Sequence, residues 1–209
     1  MKYLKASEMF AYEQEIIENK GVPAIVLMEC AARAVVTQMK QTITKSDSIL
    51  VVCGDGNNGG DGLAVGRILH NEGYKVTILE AGDPKQRTSQ NSLQSKIAKN
   101  YGTNFVSQID HVNFKEFTVF VDALFGIGLS RKISGAPLEI IKKINGVKSS
   151  RVYAIDVPSG ISAEKGIALG TYLQADETIT FGFYKKGMEK SKLQESFGKI
   201  TVADIGFFY

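Results

Sequence analysis

The stretch SILVVCGDGNNGGDGLAVGRILHNEG (residues 48–73) decides the fold class of this chain. Its first seven residues form a short apolar run rich in β-branched side chains, which predicts a buried strand. After a glycine-rich turn, apolar residues recur at helical spacing as far as Gly73, which ends the expected helix. A strand, a tight turn and a helix in this order begin a βαβ unit.

Strand-like runs alternate with helical segments along the rest of the chain. This alternation predicts an α/β fold: a single doubly wound, mostly parallel sheet with helices on both faces, which is a Rossmann-like three-layer α/β/α domain over residues 1–209. Ser7 is expected to cap the first helix, and Pro23 to start the second. The last two strands should lie at the far edge of the sheet. The further strands are expected at 74–82, 104–109, 118–126, 151–160, 177–184 and 198–206, and the other helices at 7–20, 24–41, 89–102 and 137–146.

The composition is that of a globular protein with a small positive charge. Hydrophobic residues make up 44% of the chain, and 25 Lys and Arg against 22 Asp and Glu give a formal net charge of +3. A charge this small and dispersed does not favour nucleic acid or an anionic membrane as a partner. No apolar run reaches the roughly 18 residues of a membrane span, and residues 1–16 lack the apolar centre of a signal peptide. We therefore expect a cytoplasmic protein, with Cys30 and Cys53 as buried reduced thiols.

Parallel sheets bind ligands beyond the carboxyl ends of their strands, so the loops after the strands at 48–54, 118–126 and 151–160 are the candidate site. In the first loop, Gly54, Gly56 and Gly59 satisfy the dinucleotide pattern G-x-G-x-x-G, and Glu80 stands where a ribose-binding acid would lie. The same loop also carries Asn57, Asn58 and Asp61, more polar side chains than a phosphate turn needs. They suit a polar ligand or a hard cation, although Asn and Asp also serve as turn formers and helix caps.

The other two loops repeat one pattern, in which an apolar strand ends at a carboxylate. Asp122 is followed by glycines and then by Ser130 and Arg131, which are suited to holding phosphate. Asp156 is followed by a rigid turn and the hydroxyl of Ser159. Carboxylates brought together raise one another's pKa unless a cation intervenes. Either one carboxyl is a tuned acid or base, or a metal ion is shared, or both hold.

The ligand types restrict the ion. His70 and His111 lie far from the three loops, where surface or packing roles are expected, and no cluster of His or Cys offers a transition-metal site. Oxygen ligands that include an amide and a hydroxyl suit K⁺, Na⁺, Mg²⁺ or Ca²⁺. Because few of these ligands carry charge, a monovalent ion is favoured.

Three motifs together resemble the NAD(P)H-hydrate epimerases, the YjeF N-terminal domain family. GNNGGDG (56–62), VDALFGIGLSR (121–131) and AIDVPSG (154–160) match it in order and context, as do residues 26–31 and TFGFYKKG (180–187). The resemblance covers nearly the whole chain. One departure is Cys30, at a position where many relatives have Asn. The family also includes chains joined to a dehydratase domain, and the sequence does not decide between a free-standing enzyme and part of a larger chain.

The resemblance implies a repair isomerase that interconverts the R and S epimers of hydrated NADH and NADPH, so that a separate dehydratase can restore the cofactor. It also implies one K⁺ per subunit, held by Asn58, Asp122 and Ser159, and a homodimer. Lys185 matches a family lysine near the site. The residues implied to bind the substrate are Asn57, Asn58, Gly59, Gly60, Asp61, Gly126, Ile127, Gly128, Leu129, Ser130, Arg131, Lys132 and Asp156.

The residues suit this chemistry. The epimerised carbon carries a hydroxyl and adjoins the ring nitrogen, so protonation lets the hydroxyl leave as water, and water returning to the other face inverts the centre. This needs a carboxylic acid or base rather than a redox centre. We expect Asp156 to transfer the proton. Asp122 is the alternative, but a cation bound to it would lower its pKa and make it a poorer acid.

Two other functions remain open at this stage. An NAD(P)-dependent oxidoreductase would use the glycine-rich turn, but it needs a substrate domain for which little chain remains; oxidation of NADH with a candidate substrate would reveal it. A non-catalytic dimerising module of the same fold would bind RNA or a protein partner; tight RNA binding with steep salt dependence would reveal it.

Overall fold

The computed structural model describes residues 2–189 and 191–207. Seven parallel strands form the main sheet in the order β4-β3-β2-β5-β6-β7-β9. The strands of this sheet are β2 (Ser48–Cys53), β3 (Lys75–Glu80), β4 (Asn104–Val106), β5 (Val119–Ala123), β6 (Arg151–Ile155), β7 (Glu177–Phe181) and β9 (Lys199–Ala203). The helices are α1 (Ala6–Glu18), α2 (Ala24–Met39), α3 (Asn57–Asn71), α4 (Ser89–Asn100) and α5 (Ala136–Asn145).

Alternate residues of the central strands feed two separate cores. Ile49 and Val51 of β2 belong to a cluster that includes side chains of α1, α2, α3 and α4, whereas Leu50 and Val52 pack with α5. Side chains of a strand point alternately to its two faces, so this division places helices on both sides of the sheet. The expected doubly wound, three-layer α/β/α fold is confirmed. Cys53 is buried in the larger core as expected, whereas Cys30 is only half-buried beside it.

The strand order places a switch point between β2 and β5. From β2 the chain continues to β3 and β4 on one side, and then crosses to β5, β6 and β7 on the other. This is the order of a dinucleotide-binding Rossmann sheet, whose ligand lies outside the carboxyl ends of the strands at the switch point. The fold therefore brings the loops after β2, β5 and β6 to one edge.

The N-terminal segment differs from the sequence-based expectation. The first helix begins at Ala6 rather than after Ser7, and its N-cap residue is Lys5. The backbone N–H of Lys5 donates to the Glu8 side chain at 2.7 Å, which stabilises this start of the helix. A short strand β1 (Tyr3–Leu4) pairs in parallel with β8 (Tyr184–Lys185) in a separate two-stranded sheet. The strand expected over 177–184 is therefore two strands, broken at Gly182, whose φ of +66° favours glycine.

The other strands are shorter than expected, and α5 begins and ends one residue earlier, at Ala136 and Asn145. The strand expected over 104–109 ends at Val106, and the chain then forms short 3₁₀ turns.

Among the described residues, none of the helices has the length and apolar character of a membrane span.

Candidate functional site

The glycine-rich turn after β2 is built by close packing. A β-carbon on Gly54 would overlap the carbonyl of Leu124, and one on Gly59 would overlap the carbonyl of Gly54. The glycines therefore allow the start of α3 to press against the strand ends. Asn91 of α4 holds the turn in place, because its Nδ2 donates to the carbonyls of Gly54 at 3.0 Å and Gly56 at 2.8 Å.

Asn91 was missed by the sequence reasoning. Only the structure shows that this Asn is fully buried and that its amide needs partners.

Asp122 and Ser159 join the loops after β5 and β6. Ser159 donates to Asp122 twice, from its backbone N–H to Oδ2 and from its hydroxyl to Oδ1, both at 2.7 Å. The N–H of Leu124 donates to Oδ1 at 3.2 Å. Asp122 is fully buried, and no described residue forms an ion pair with it. Loss of hydration raises its pKa to about 6, although the hydrogen bonds from Ser159 and Leu124 oppose the rise.

Asn58 lies beside this pair. Its side chain is packed so closely against Gly126 that a β-carbon there would lie 3.3 Å from the Asn58 Cβ. The neighbouring Phe125 N–H donates to the Ser159 hydroxyl at 3.0 Å. Asn58, Asp122 and Ser159, the residues that the family resemblance implies as ion ligands, thus lie around one short backbone segment.

These three residues fit a monovalent cation. Asp122 is a buried carboxylate without a described counter-charge, which a cation would supply. The Asn58 Nδ2 is buried and has no hydrogen-bond partner among the described residues. Rotation of that amide by half a turn would exchange its nitrogen and oxygen, and would place an oxygen ligand at the buried position now held by Nδ2. The set offers one charge, an amide and a hydroxyl. Among the described residues, no group of three or more His, Cys, Asp or Glu is arranged to hold a metal ion.

Asp156 is held at the end of β6 by the late segment of the chain. Its φ is +69°, a strained conformation for a residue other than glycine, and its N–H donates to the Ile179 carbonyl. Its Oδ1 accepts a hydrogen bond from the Thr180 hydroxyl at 3.0 Å and forms an ion pair with the Lys185 ammonium at 2.8 Å. Among the residues that the structure describes, none donates a hydrogen bond to Oδ2. One carboxylate oxygen is therefore anchored, and the other is left for a ligand.

Lys185 is a buried cation with several fixed acceptors. Its Nζ also donates to the Thr180 hydroxyl at 2.8 Å and to the carbonyls of Phe181 and Phe183 at 3.1 and 3.2 Å. These contacts require the break in the strand at Gly182 and the pairing of β8 with β1. The family resemblance placed Lys185 near the site, and the structure identifies Asp156 as its ion-pair partner.

Two further carboxyls act on this site. Burial raises the pKa of Asp61 well above its usual range, and the charges of Asp156 and Glu13 add to the rise. Burial also raises the pKa of Glu13, with a contribution from Asp156 that Lys185 opposes. Asp61 was predicted to contact the ligand. Glu13, on α1, was missed, because nothing in the local sequence indicates that α1 reaches the strand ends.

The remaining predicted residues lie at the rim. Asn57 is exposed as the first residue of α3, and Gly59 and Gly60 are buried in its first turn. In the loop after β5, Ile127 packs against the core, whereas the residues that follow reach solvent. Leu129 is half-buried there, and the exposed members are Gly128, Ser130, Arg131 and Lys132.

Glu80 does not present a free carboxylate for a ribose. Oε1 accepts from Ser95 and pairs with Arg87, each at 2.8 Å, and Oε2 pairs with Lys99 at 3.2 Å. Burial raises its pKa, but these partners outweigh burial, and the net pKa lies below the usual value. The chain therefore has the glycines of the dinucleotide pattern, but Glu80, the acid expected to bind a ribose, is already bound to Ser95, Arg87 and Lys99.

The two histidines lie in the last turn of α3 (His70) and exposed in a 3₁₀ turn (His111).

The sequence and the fold both have matches among known proteins. Residues 24–187 match the family described as YjeF-related protein N-terminus. The chain is 41% identical over 203 residues to an NAD(P)H-hydrate epimerase of Weissella koreensis, covering 97% of this chain and 90% of that protein. It is 39% identical over 207 residues to an NAD(P)H-hydrate epimerase of Oenococcus oeni, covering 99% and 97%. The crystal structure of the yeast protein ynu0 superposes with a TM-score of 0.82 at 20% identity, over 98% of this chain and 88% of that one, and shows the same fold.

Proposed function

Because this chain belongs to the family of YjeF-related N-terminal domains, we propose that it acts as an NAD(P)H-hydrate epimerase. Such an enzyme is an isomerase that interconverts the R and S epimers of hydrated NADH and NADPH in nicotinamide cofactor repair. The identity to these relatives extends over nearly the whole length of both chains.

The observation that carries the chemical proposal is the arrangement around Asp156. The Lys185 ammonium and the Thr180 hydroxyl hold one carboxylate oxygen, and the other points to no described donor. A general base needs a fixed carboxylate with one accessible oxygen. The contact with Lys185 therefore fixes the carboxylate in the position of a base.

Epimerisation also needs an acid, and Asp61 supplies one in our proposal. Its raised pKa keeps its carboxyl protonated at a pH where an ordinary Asp has lost its proton. Asp61 protonates the hydroxyl of the substrate, and the C–O bond breaks to release water. The electron pair of the ring nitrogen stabilises the resulting cation.

Water then adds to the opposite face of the ring. Asp156 takes the proton of the attacking water as the new C–O bond forms. One water is lost, one is gained, and a proton passes from Asp156 back to Asp61 to complete the cycle. The reverse direction uses the same groups, as microscopic reversibility requires. Asp122, the alternative acid, is enclosed by its three hydrogen bonds and suits an ion-binding role better.

We further propose that Asn58, Asp122 and Ser159 would hold K⁺. When bound, the ion would supply a positive charge beside the loop that receives the substrate. The residues of the chain supply the other contacts to the dinucleotide. Backbone N–H groups at the start of α3 suit the pyrophosphate, and Arg131 and Lys132 are exposed cations on the opposite loop.

The test is an epimer-specific assay. The protein is added to an equilibrated mixture of hydrated NADH together with a dehydratase that consumes only the S form. We expect added protein to accelerate consumption of the R form. Asp156→Asn should abolish the acceleration while circular dichroism shows a folded protein. Asp204→Asn, at an exposed position, is the matched control and should behave as wild type. Undiminished activity of Asp156→Asn would remove Asp156 from the mechanism.

The cellular setting is also a proposal. We propose a cytoplasmic homodimer that acts beside an NAD(P)H-hydrate dehydratase and binds no nucleic acid. Light scattering after size exclusion tests the dimer, and a salt titration of RNA binding tests the last point.

A further inference from the structure

The first helix of the chain brings a third carboxyl, that of Glu13, to the site. On α1, Glu13 follows the buried Met9 by four residues and precedes the buried Ile16 by three. Residues at this spacing lie on one face of a helix, so Glu13 belongs to the face of α1 that packs against the core. It is half-buried there, and among the described residues none forms an ion pair with it.

Two contacts hold Glu13 close to the pair of Asp156 and Lys185. Its neighbour Tyr12 makes an edge-on ring contact with Phe183, with 5.4 Å between the ring centroids. The Phe183 carbonyl in turn accepts from the Lys185 Nζ at 3.2 Å, and that Nζ pairs with Asp156 at 2.8 Å. The pairing of β1 with β8 also keeps the start of α1 beside the segment that carries Lys185.

The charges of these groups act on one another. Burial and the charge of Asp156 raise the pKa of Glu13, and the charge of Lys185 opposes the rise. Burial raises the pKa of Asp61, and the charges of Asp156 and Glu13 add to it. Three carboxyls therefore share the site with a single ammonium, and ionisation of all three would leave two negative charges uncompensated. Carboxyls coupled in this way hold their protons as a group rather than one by one.

The proposed reaction leaves this group in a state that cannot repeat the same conversion. Conversion of the R epimer to S ends with Asp61 as a carboxylate and Asp156 as a carboxylic acid. That state is ready only for the reverse conversion, in which Asp156 donates a proton and Asp61 accepts one. A second conversion of R to S must wait until the proton has returned from Asp156 to Asp61. The Asp156 side chain is only 11% exposed, which hinders exchange of this proton with bulk water.

We propose that Glu13 carries the proton from Asp156 back to Asp61 between successive conversions in one direction. The inference rests on the proposed function, because it takes the acid and the base from that mechanism. The Glu13 carboxylate accepts the proton of the Asp156 carboxylic acid and then gives it to the Asp61 carboxylate. No bond to the substrate forms or breaks in this proton return, and the number of protons on the enzyme does not change.

Two rates measured with the same substrate separate the proton return from the chemistry. The first is exchange at equilibrium, in which incorporation of ¹⁸O from water reports interconversion in an equilibrated mixture of the epimers. Each enzyme molecule can then alternate between the two directions, which needs no proton return. The second is net conversion of R to S, with S removed by the S-specific dehydratase. Net conversion needs a proton return after every turnover.

We expect Glu13→Gln to lower the rate of net conversion by about tenfold, because only water then carries the proton. The same variant should lower the exchange rate far less. Glu13→Asp keeps a carboxyl at this position and should recover most of the net rate. Glu18→Gln, on the exposed side of the same helix, is the matched control and should behave as wild type in both measurements.

The ratio of the net rate to the exchange rate decides the outcome. This ratio does not depend on how much of a variant is folded, because both rates scale with the amount of active protein. A ratio in Glu13→Gln equal to that of wild type, whether both rates are retained or fall together, would overturn the role of Glu13. A wild-type protein that accelerates neither rate would instead contradict the proposed function itself.

Discussion

Replacing Asp122 with Asn is expected to remove one component of the pH dependence of folding stability. Asp122 is fully buried, and burial raises its pKa from 3.8 to about 6 despite hydrogen bonds from Ser159 and Leu124. A raised pKa means that the folded protein holds this proton more tightly than the unfolded chain. The protonated form therefore stabilises the fold below about pH 4, and this stabilisation is lost as the pH rises through about 6.

The magnitude follows from the two pKa values. A shift of about two units corresponds to about 3 kcal/mol, and linkage places about 2 kcal/mol of the loss between about pH 4.5 and pH 7. Asn also brings an amide against an N–H donor, so Asp122→Asn lowers the free energy of unfolding at every pH. The informative quantity is the change with pH of the difference between the two proteins, because all other carboxyls are common to both.

The assay is urea denaturation in buffers free of alkali metal ions. Between about pH 4.5 and pH 7, wild type should lose about 2 kcal/mol more of its free energy of unfolding than Asp122→Asn. Added K⁺ should restore wild-type stability at the higher pH and have little effect on the variant. The exposed-site variant Asp204→Asn should follow wild type throughout. Parallel pH profiles of wild type and Asp122→Asn would refute the reasoning, as would an equal response of both to K⁺.

Three further outcomes are expected. Because burial and nearby carboxylates raise the pKa of Asp61, wild-type kcat should fall as the pH rises through that pKa. Asp61→Asn should lower kcat by about 10²–10⁴-fold. The remaining activity of this variant should not show the fall in kcat with rising pH. Lys185→Met should lower kcat with little change in KM, because the buried ammonium positions the base rather than binding substrate, and an unchanged kcat would exclude this role. Gly62→Ala would force a new β-carbon against the β-carbon of Ala123 in β5, and should lower the free energy of unfolding in urea by about 1–3 kcal/mol. Gly128→Ala is the control: open space surrounds Gly128, so the free energy of unfolding should fall far less.

The sequence predicted the fold because its signals were local. Apolar runs of strand length alternate with helical spacing, and that pattern requires no knowledge of distant contacts. The same logic located the three loops, since Asp122 and Asp156 each follow an apolar strand. The structure places Asp122 in direct contact with Ser159, and β5 and β6, which precede these two loops, are neighbouring parallel strands.

The parts that sequence reasoning missed depend on distant contacts. Glu13 lies on α1, which follows β1, and β1 pairs with β8 from the other end of the chain. Asn91 holds the glycine-rich turn from a helix more than 30 residues away in sequence. Ser7 failed as a cap because the Glu8 side chain already accepts the N–H that begins the helix. Such partners are fixed by tertiary packing, which local patterns do not encode.

Mass spectrometry of the product formed in water labelled with ¹⁸O tests the central claim most directly. If Asp61 and Asp156 drive loss and return of water, each R epimer converted to S acquires one ¹⁸O at the inverted carbon, at a rate that Asp156→Asn reduces to that of the enzyme-free control. Conversion by the wild-type protein with the original oxygen retained, or undiminished labelling by Asp156→Asn, would contradict the account.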